Sequence, residues 1–238
     1  MQSKLLSKKV LSSILALGAL TVSSTALANS GGYEDGSHYV GLYPNGSNVV
    51  IDEAITGVAY GSRIFEGTAS NNTVTVSADC KEVRGADVKT GNAVNNNVII
   101  NSGTTGTVYG GRVETGNATS NSVIVNDGNV TGDIYGAYIV ESAGNSEFIK
   151  GIAANNSVLI NGGNITGEIY GANVKWCDVT GNSVVINNSN VVSDIYGTFV
   201  DNGSPVGSIG IIDSTATNNR VVIDNSNVKG EIYGANVI

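Results

Sequence analysis

The chain has 238 residues with 12 basic and 20 acidic side chains, a net charge of −8, and it is rich in glycine (32) and asparagine (30) but holds only 2 prolines. The acidic balance argues against nucleic acid or anionic lipid as a partner, since both demand clustered Lys and Arg, and glycine without a strict three-residue period excludes collagen. One histidine, His38, removes most histidine-based catalysis and metal binding, while a 41% hydrophobic content is too high for a self-repelling disordered chain.

Residues 1–28 read as a secretory signal peptide. Lys4, Lys8 and Lys9 form the basic start, an apolar run lies between Val10 and Val22, and Ala26-Leu27-Ala28 supplies the small-residue cleavage site. The apolar run is shorter than the roughly 20 residues of a membrane span, and no later segment is apolar enough to span as a helix. Export is therefore expected, with a mature chain beginning near Asn29 and carrying a charge of −11. Residues 29–46, which include His38 in the Tyr-rich stretch Tyr33–Tyr43, form an N-terminal cap.

From residue 47 to 238 the chain repeats. Asp133-Ile-Tyr-Gly136, Glu168-Ile-Tyr-Gly171, Asp194-Ile-Tyr-Gly197 and Glu231-Ile-Tyr-Gly234 are nearly identical, and weaker copies end at Gly61, Gly85 and Gly110. The glycine intervals are 24, 25, 26, 35, 26 and 37. Three-residue apolar runs, usually behind Asn, begin at Val49, Val74, Val98, Val123, Val158, Val184 and Val221, each 11 to 13 residues before its glycine. Short β-branched runs between Asn, Gly and Ser are strand-and-turn chemistry. A unit of about 25 residues cannot bury its own apolar face, so units must stack. The expected fold is all-β: a single-stranded parallel β-helix, or β-solenoid, of about seven coils.

Stacking places equivalent residues about 4.8 Å apart and gives a rod roughly 34 Å long. Ile134, Ile169, Ile195 and Ile232 are expected in one inward ladder and Val123, Val158, Val184 and Val221 in another. Asn126, Asn161 and Asn187, with Asp224 in the same column, are expected at a turn, bonding between coils and tolerating left-handed backbone. The two long intervals hold insertions near 141–151 and 202–214, which emerge from a solenoid either as binding loops or as neutral length variation. Cys80 and Cys177, free to oxidise outside the cytoplasm, lie three coils apart, roughly 14 Å. That is beyond disulfide reach.

The repeated Val-Ile-Asn-x-Gly-Asn-Val-x-Gly-(Asp/Glu)-Ile-Tyr-Gly-Ala, behind a signal peptide, resembles the passenger repeats of bacterial autotransporters, the type V secreted surface proteins. The resemblance covers about residues 47–238. It implies a parallel β-helix that is secreted or held at the cell surface or outer membrane, often as an adhesin, and it implies no single chemistry. The family's C-terminal β-barrel translocator is not seen in the sequence, so a fragment, a truncated passenger and a subunit assembling end to end all stand open.

Alternation places the acids Glu82, Asp133, Glu168, Asp194 and Glu231 and the rings Tyr109, Tyr135, Tyr170, Tyr196 and Tyr233 on the outer face, with Tyr60 at the N-terminal end. Three readings compete for this stripe. Tyr stacks on Tyr for stability beside solvated acids; or the stripe binds host glycan or extracellular protein; or paired carboxylates hold Ca²⁺ or act as a glycosidase. Every coil repeats the pair, which an active site would not. No nucleophile elbow, P-loop or Cys-x-x-Cys is present. Trp176 reads equally as a packing residue or an exposed anchor. The expected function is non-enzymatic surface adhesion without cofactor or metal, against a stalk with no ligand of its own and a polysaccharide-active enzyme.

Overall fold

A computed structural model describes residues 39–41, 43–140, 150–202 and 214–238. Residues 1–28, read above as a signal peptide, His38, most of the expected cap at 29–46 and the greater part of both insertions lie outside the described residues. Among the described residues there is no helix, and so none long and apolar enough to cross a membrane. They form 25 strands in two sheets, one of 18 strands and one of seven. Every strand pairing in both sheets is parallel.

The register follows the repeat. In the seven-stranded sheet, Val49 pairs with Val74, Val74 with Val98, Val98 with Val123, Val123 with Val158, Val158 with Val184 and Val184 with Val221. In the larger sheet Ile134 pairs with Ile169, Ile169 with Ile195 and Ile195 with Ile232. Insertions of about ten residues leave this register intact, because loop closure grows costly only slowly with length.

Both expected ladders are inward except at the last coil, where Val221 is only partly buried and Ile232 is 50% exposed. Val123, Val158, Val184, Ile134, Ile169 and Ile195 are wholly buried in one aliphatic core between the two sheets. A second core of smaller side chains, including Ala86, Ala93, Ala118, Ala137 and Val174, lies on the far side of the glycine column. The chain thus has two lobes joined at a waist, and the repeated glycine stands at that waist. A Cβ on Gly136 would lie 2.5 Å from the Gly171 carbonyl oxygen and 3.0 Å from the Ser157 nitrogen. Real Cβ atoms do not approach backbone so closely, so from Gly61 to Gly197 this column admits only glycine.

A buried polar ladder fills the other side of the waist. Asn72, Asn96, Asn121, Asn156 and Asn182 are fully buried. Each donates from Nδ2 to the Oδ1 of the next rung, ending on Asn219, at 2.8–3.1 Å. From Asn96 to Asn182, each Nδ2 also donates at 2.9–3.0 Å to an alanine carbonyl of the preceding coil. The residues just before them, Asn71, Asn95, Ser120, Asn155, Gly181 and Asn218, have φ between 54° and 66°, the left-handed conformation that turns the chain into the next strand. The exposed column Asn126, Asn161 and Asn187 bonds from coil to coil as expected, at 2.9–3.3 Å. Its own backbone is not left-handed: positive φ falls on the residues before the buried asparagines and, in this turn, on the residues that follow the column, Gly128, Gly163, Asn188 and Asn225.

Cys80 and Cys177 are buried, one in each core, and no disulfide joins them. Burial pushes the Cys80 thiol up to about 11. Trp176 is buried, with the Lys175 ammonium 4.7 Å from its ring centre, so it packs rather than projects.

Candidate functional site: the tyrosine–carboxylate spine

A straight strand sends residues i and i+3 to opposite faces. Here Ile134 enters one core and Ala137 the other, while the rings of Tyr135 and Tyr138 lie together on the remaining side, centroids 4.9 Å apart. The chain therefore bends at Gly136, and the bend opens a concave strip along the outside of the waist.

Tyr109, Tyr135, Tyr170, Tyr196 and Tyr233 run along that strip. Their centroids are 4.9–5.1 Å apart and their planes differ by only 5–8°. Alternation placed them on the face opposite the isoleucines, and they are there, but they are not an open stripe. Tyr135, Tyr170 and Tyr196 retain only 6–8% exposure. Each ring is covered by its stack neighbours, and Tyr138 and Phe199 cover parts of the flank.

The acids complete the column. The phenol of Tyr135 donates to Asp133 at 2.9 Å and that of Tyr196 to Asp194 at 3.3 Å, and Tyr170 and Tyr233 donate likewise to Glu168 and Glu231. Two carboxylates also accept a backbone N–H from the next coil, Asp133 from Glu168 and Asp194 from Glu231. These donors offset the repulsion of like charges stacked along a column.

Glu82 belongs to the same column with a different partner. Arg84 takes the tyrosine's place, paired in register with Tyr60 and Tyr109, its guanidinium 5.3 and 5.5 Å from their ring centres. Arg84 donates to Glu82 at 2.5 Å and to Asp87 at 2.7 Å, and Arg112 reaches Asp87 at 2.8 Å. Cation–π contact lets the planar guanidinium continue the stack. The signal for this charged cluster lay in the repeat phase, since Asp87 and Arg112 each stand two residues after the repeated glycine of adjacent coils, Gly85 and Gly110.

From Asp133 onward the spine is chemically uniform: the acid–tyrosine pair recurs in four successive coils. Among the described residues, no three His, Cys, Asp or Glu side chains converge on a metal-sized site. The ring faces are committed to one another, and the phenol protons of Tyr135, Tyr170, Tyr196 and Tyr233 to carboxylates. Stacking for stability is the reading that this geometry carries. Compared with known protein families, curated proteins and solved structures, the chain matches none.

Burial pushes the Tyr109 phenol up to about 12, with Glu82 adding to it, and lifts Tyr135 and Tyr170 as well, helped by Asp133 and Glu168. Unfolded tyrosines ionise near pH ~10. The unfolded chain thus loses protons first, so the spine's contribution is whole below about pH 10 and is lost as pH rises through the folded values. Alkaline titration should show phenolate absorbance at ultraviolet wavelengths rising together with loss of the β circular-dichroism signal. Ionisation of the whole tyrosine set before any loss of structure would contradict the buried spine.

Proposed function

We propose that this chain is an exported, non-enzymatic β-solenoid of autotransporter-passenger type, a single-stranded parallel β-helix of about seven coils that acts in adhesion at the cell surface. The observation that carries this reading is the in-register parallel pairing of residues one repeat apart, from Val49 through Val221. The basic, apolar and small-residue segments of residues 1–28 support export, and the repeat's resemblance to passenger domains supports adhesion. With the tyrosine rings buried, contact with host glycan or extracellular protein falls to the outer coil surfaces and the two insertions.

A stalk without a ligand of its own is the second reading, favoured by the sameness of the acid–tyrosine pairs from coil to coil. The two part in one experiment. The purified chain is screened against glycan and matrix-protein panels, then again after deletion of 141–151 or 202–214. Adhesion predicts binding that falls at least tenfold with one deletion. A stalk predicts no binding at any stage. Turnover of a polysaccharide in the same panel would overturn both.

A further inference from the structure

The outer face of the seven-stranded sheet has a composition unlike the rest of the chain. Its strands are Asn48–Ile51, Thr73–Val76, Asn97–Ile100, Ser122–Val125, Ser157–Ile160, Ser183–Asn187 and Arg220–Asp224. Burial alternates along each, so the first and third residues face outward. The third residues form one column: Val50, Thr75, Ile99, Ile124, Leu159, Val185 and Val222. Between its 39% and 42% exposed ends, Val50 and Val222, the middle rungs are half-buried only by their neighbours in the stack.

Hydroxyl and amide side chains flank this aliphatic stripe on both sides, Ser122 and Asn126 on one rung, Ser157 and Asn161 on another. The chain holds 32 charged residues, yet these strands carry only Arg220 and Asp224, both on the last one. A neutral, flat apolar stripe on an acidic protein is a contact surface, and its neutrality removes the repulsion that other faces would present to a second copy.

We propose that this face is a self-association surface on which a second copy of the chain packs sheet to sheet, its stack axis pointing the same way. Aligned sheets pack about 10 Å apart with interdigitating side chains. A two-fold axis along the stack sets each rung against the same rung of the partner and the start of each strand against the partner strand's end. Arg220 of each copy then faces Asp224 of the other, and Asn48 faces Asp52. The opposite arrangement, with stacks reversed, sets Asp52 against Asp224. Charge complementarity selects the first. The face is about 29 Å by 13 Å, or about 380 Å² a side, well under the roughly 800 Å² a side of a standard stable interface, so the pair is weak and reversible in solution and gains from crowding on a surface.

Sedimentation of the purified chain over a concentration series tests this. The expected result is a reversible dimer. I124K/L159K, whose changes face solvent in the monomer, should weaken it at least about tenfold with the circular dichroism unchanged. I124T/L159T keeps strand-forming residues, as Thr75 already does in that column, and should weaken it in the same direction if the lysines disturb folding. R220D should weaken association, and R220D/D224R should restore it. A monomer at every concentration, association indifferent to both 124/159 variants, or failure of the charge swap to restore R220D would each overturn the proposal.

Discussion

Gly136→Ala should destabilise the chain by several kcal/mol, about 3 or more, and Gly234→Ala should leave it nearly unchanged. The two glycines close the same Ile-Tyr-Gly motif, so local sequence gives no reason to separate them. The difference lies in what stands beyond each. A methyl group at 136 meets the Gly171 carbonyl oxygen at 2.5 Å and the Ser157 nitrogen at 3.0 Å, both backbone atoms fixed by the parallel register. Neither gives way by rotating a side chain, so two sheets must separate at the waist, which is costlier than ordinary overpacking of about 1–3 kcal/mol. At 234 the nearest atom to the added methyl is the Asn219 carbonyl oxygen at 3.7 Å, an ordinary contact, and the change should stay within about 0.5 kcal/mol. Urea unfolding of the two variants beside the parent decides it. Equal effects at the two positions would mean that helical stacking of coils does not set the glycine requirement.

That glycine also marks where reading the sequence succeeds and where it stops. The Val and Ile columns were legible because a fixed phase between two landmarks leaves one register that buries both. The inter-coil bonds of Asn126, Asn161 and Asn187 followed from the same phase, and so did the absence of a disulfide between Cys80 and Cys177. Alternation correctly set Tyr135 opposite Ile134. It could not foresee that the ring would be buried, because strict alternation assumes a straight strand and Gly136 bends this one. Only the bend brings Tyr138 against Tyr135 and closes the strip. The left-handed column was misplaced for a related reason. Asn serves both strained turns and side-chain ladders, and type alone does not say which asparagine does which. The usable mark was the doublet before each apolar run, Asn71-Asn72, Asn95-Asn96, Asn155-Asn156 and Asn218-Asn219: the first residue turns the chain and the second carries the interior ladder.

Changing that second residue tests the ladder most sharply. Asn121→Asp retains an oxygen to accept from Asn96, whose backbone N–H and Nδ2 both donate to it, at 3.1 and 2.9 Å. It replaces the Nδ2 that donates to the Asn156 Oδ1 at 3.1 Å and to the Ala93 carbonyl at 2.9 Å. Two acceptors then face a third in a fully buried site, and an ionised carboxylate there has no compensating cation. Leaving buried groups unpaired costs about 1–3 kcal/mol each, and more when one is charged, so a loss of about 4 kcal/mol or more is expected near neutral pH. Burial favours the protonated acid, so the folded chain binds a proton that the unfolded chain releases above pH ~4. The penalty therefore grows with rising pH and shrinks in acid, where the neutral carboxyl regains one donor. Asn219→Asp is the matched control. Its Nδ2 has no partner to lose, while its Oδ1 still accepts from Asn182, so its cost should be clearly smaller than that at 121, with only desolvation of the carboxylate remaining. Thermal unfolding of both variants across a pH series, each measured against the parent at the same pH, separates the outcomes. A pH-independent loss at 121, or equal losses at 121 and 219, would show that the amide column fills space without acting as a hydrogen-bonded ladder.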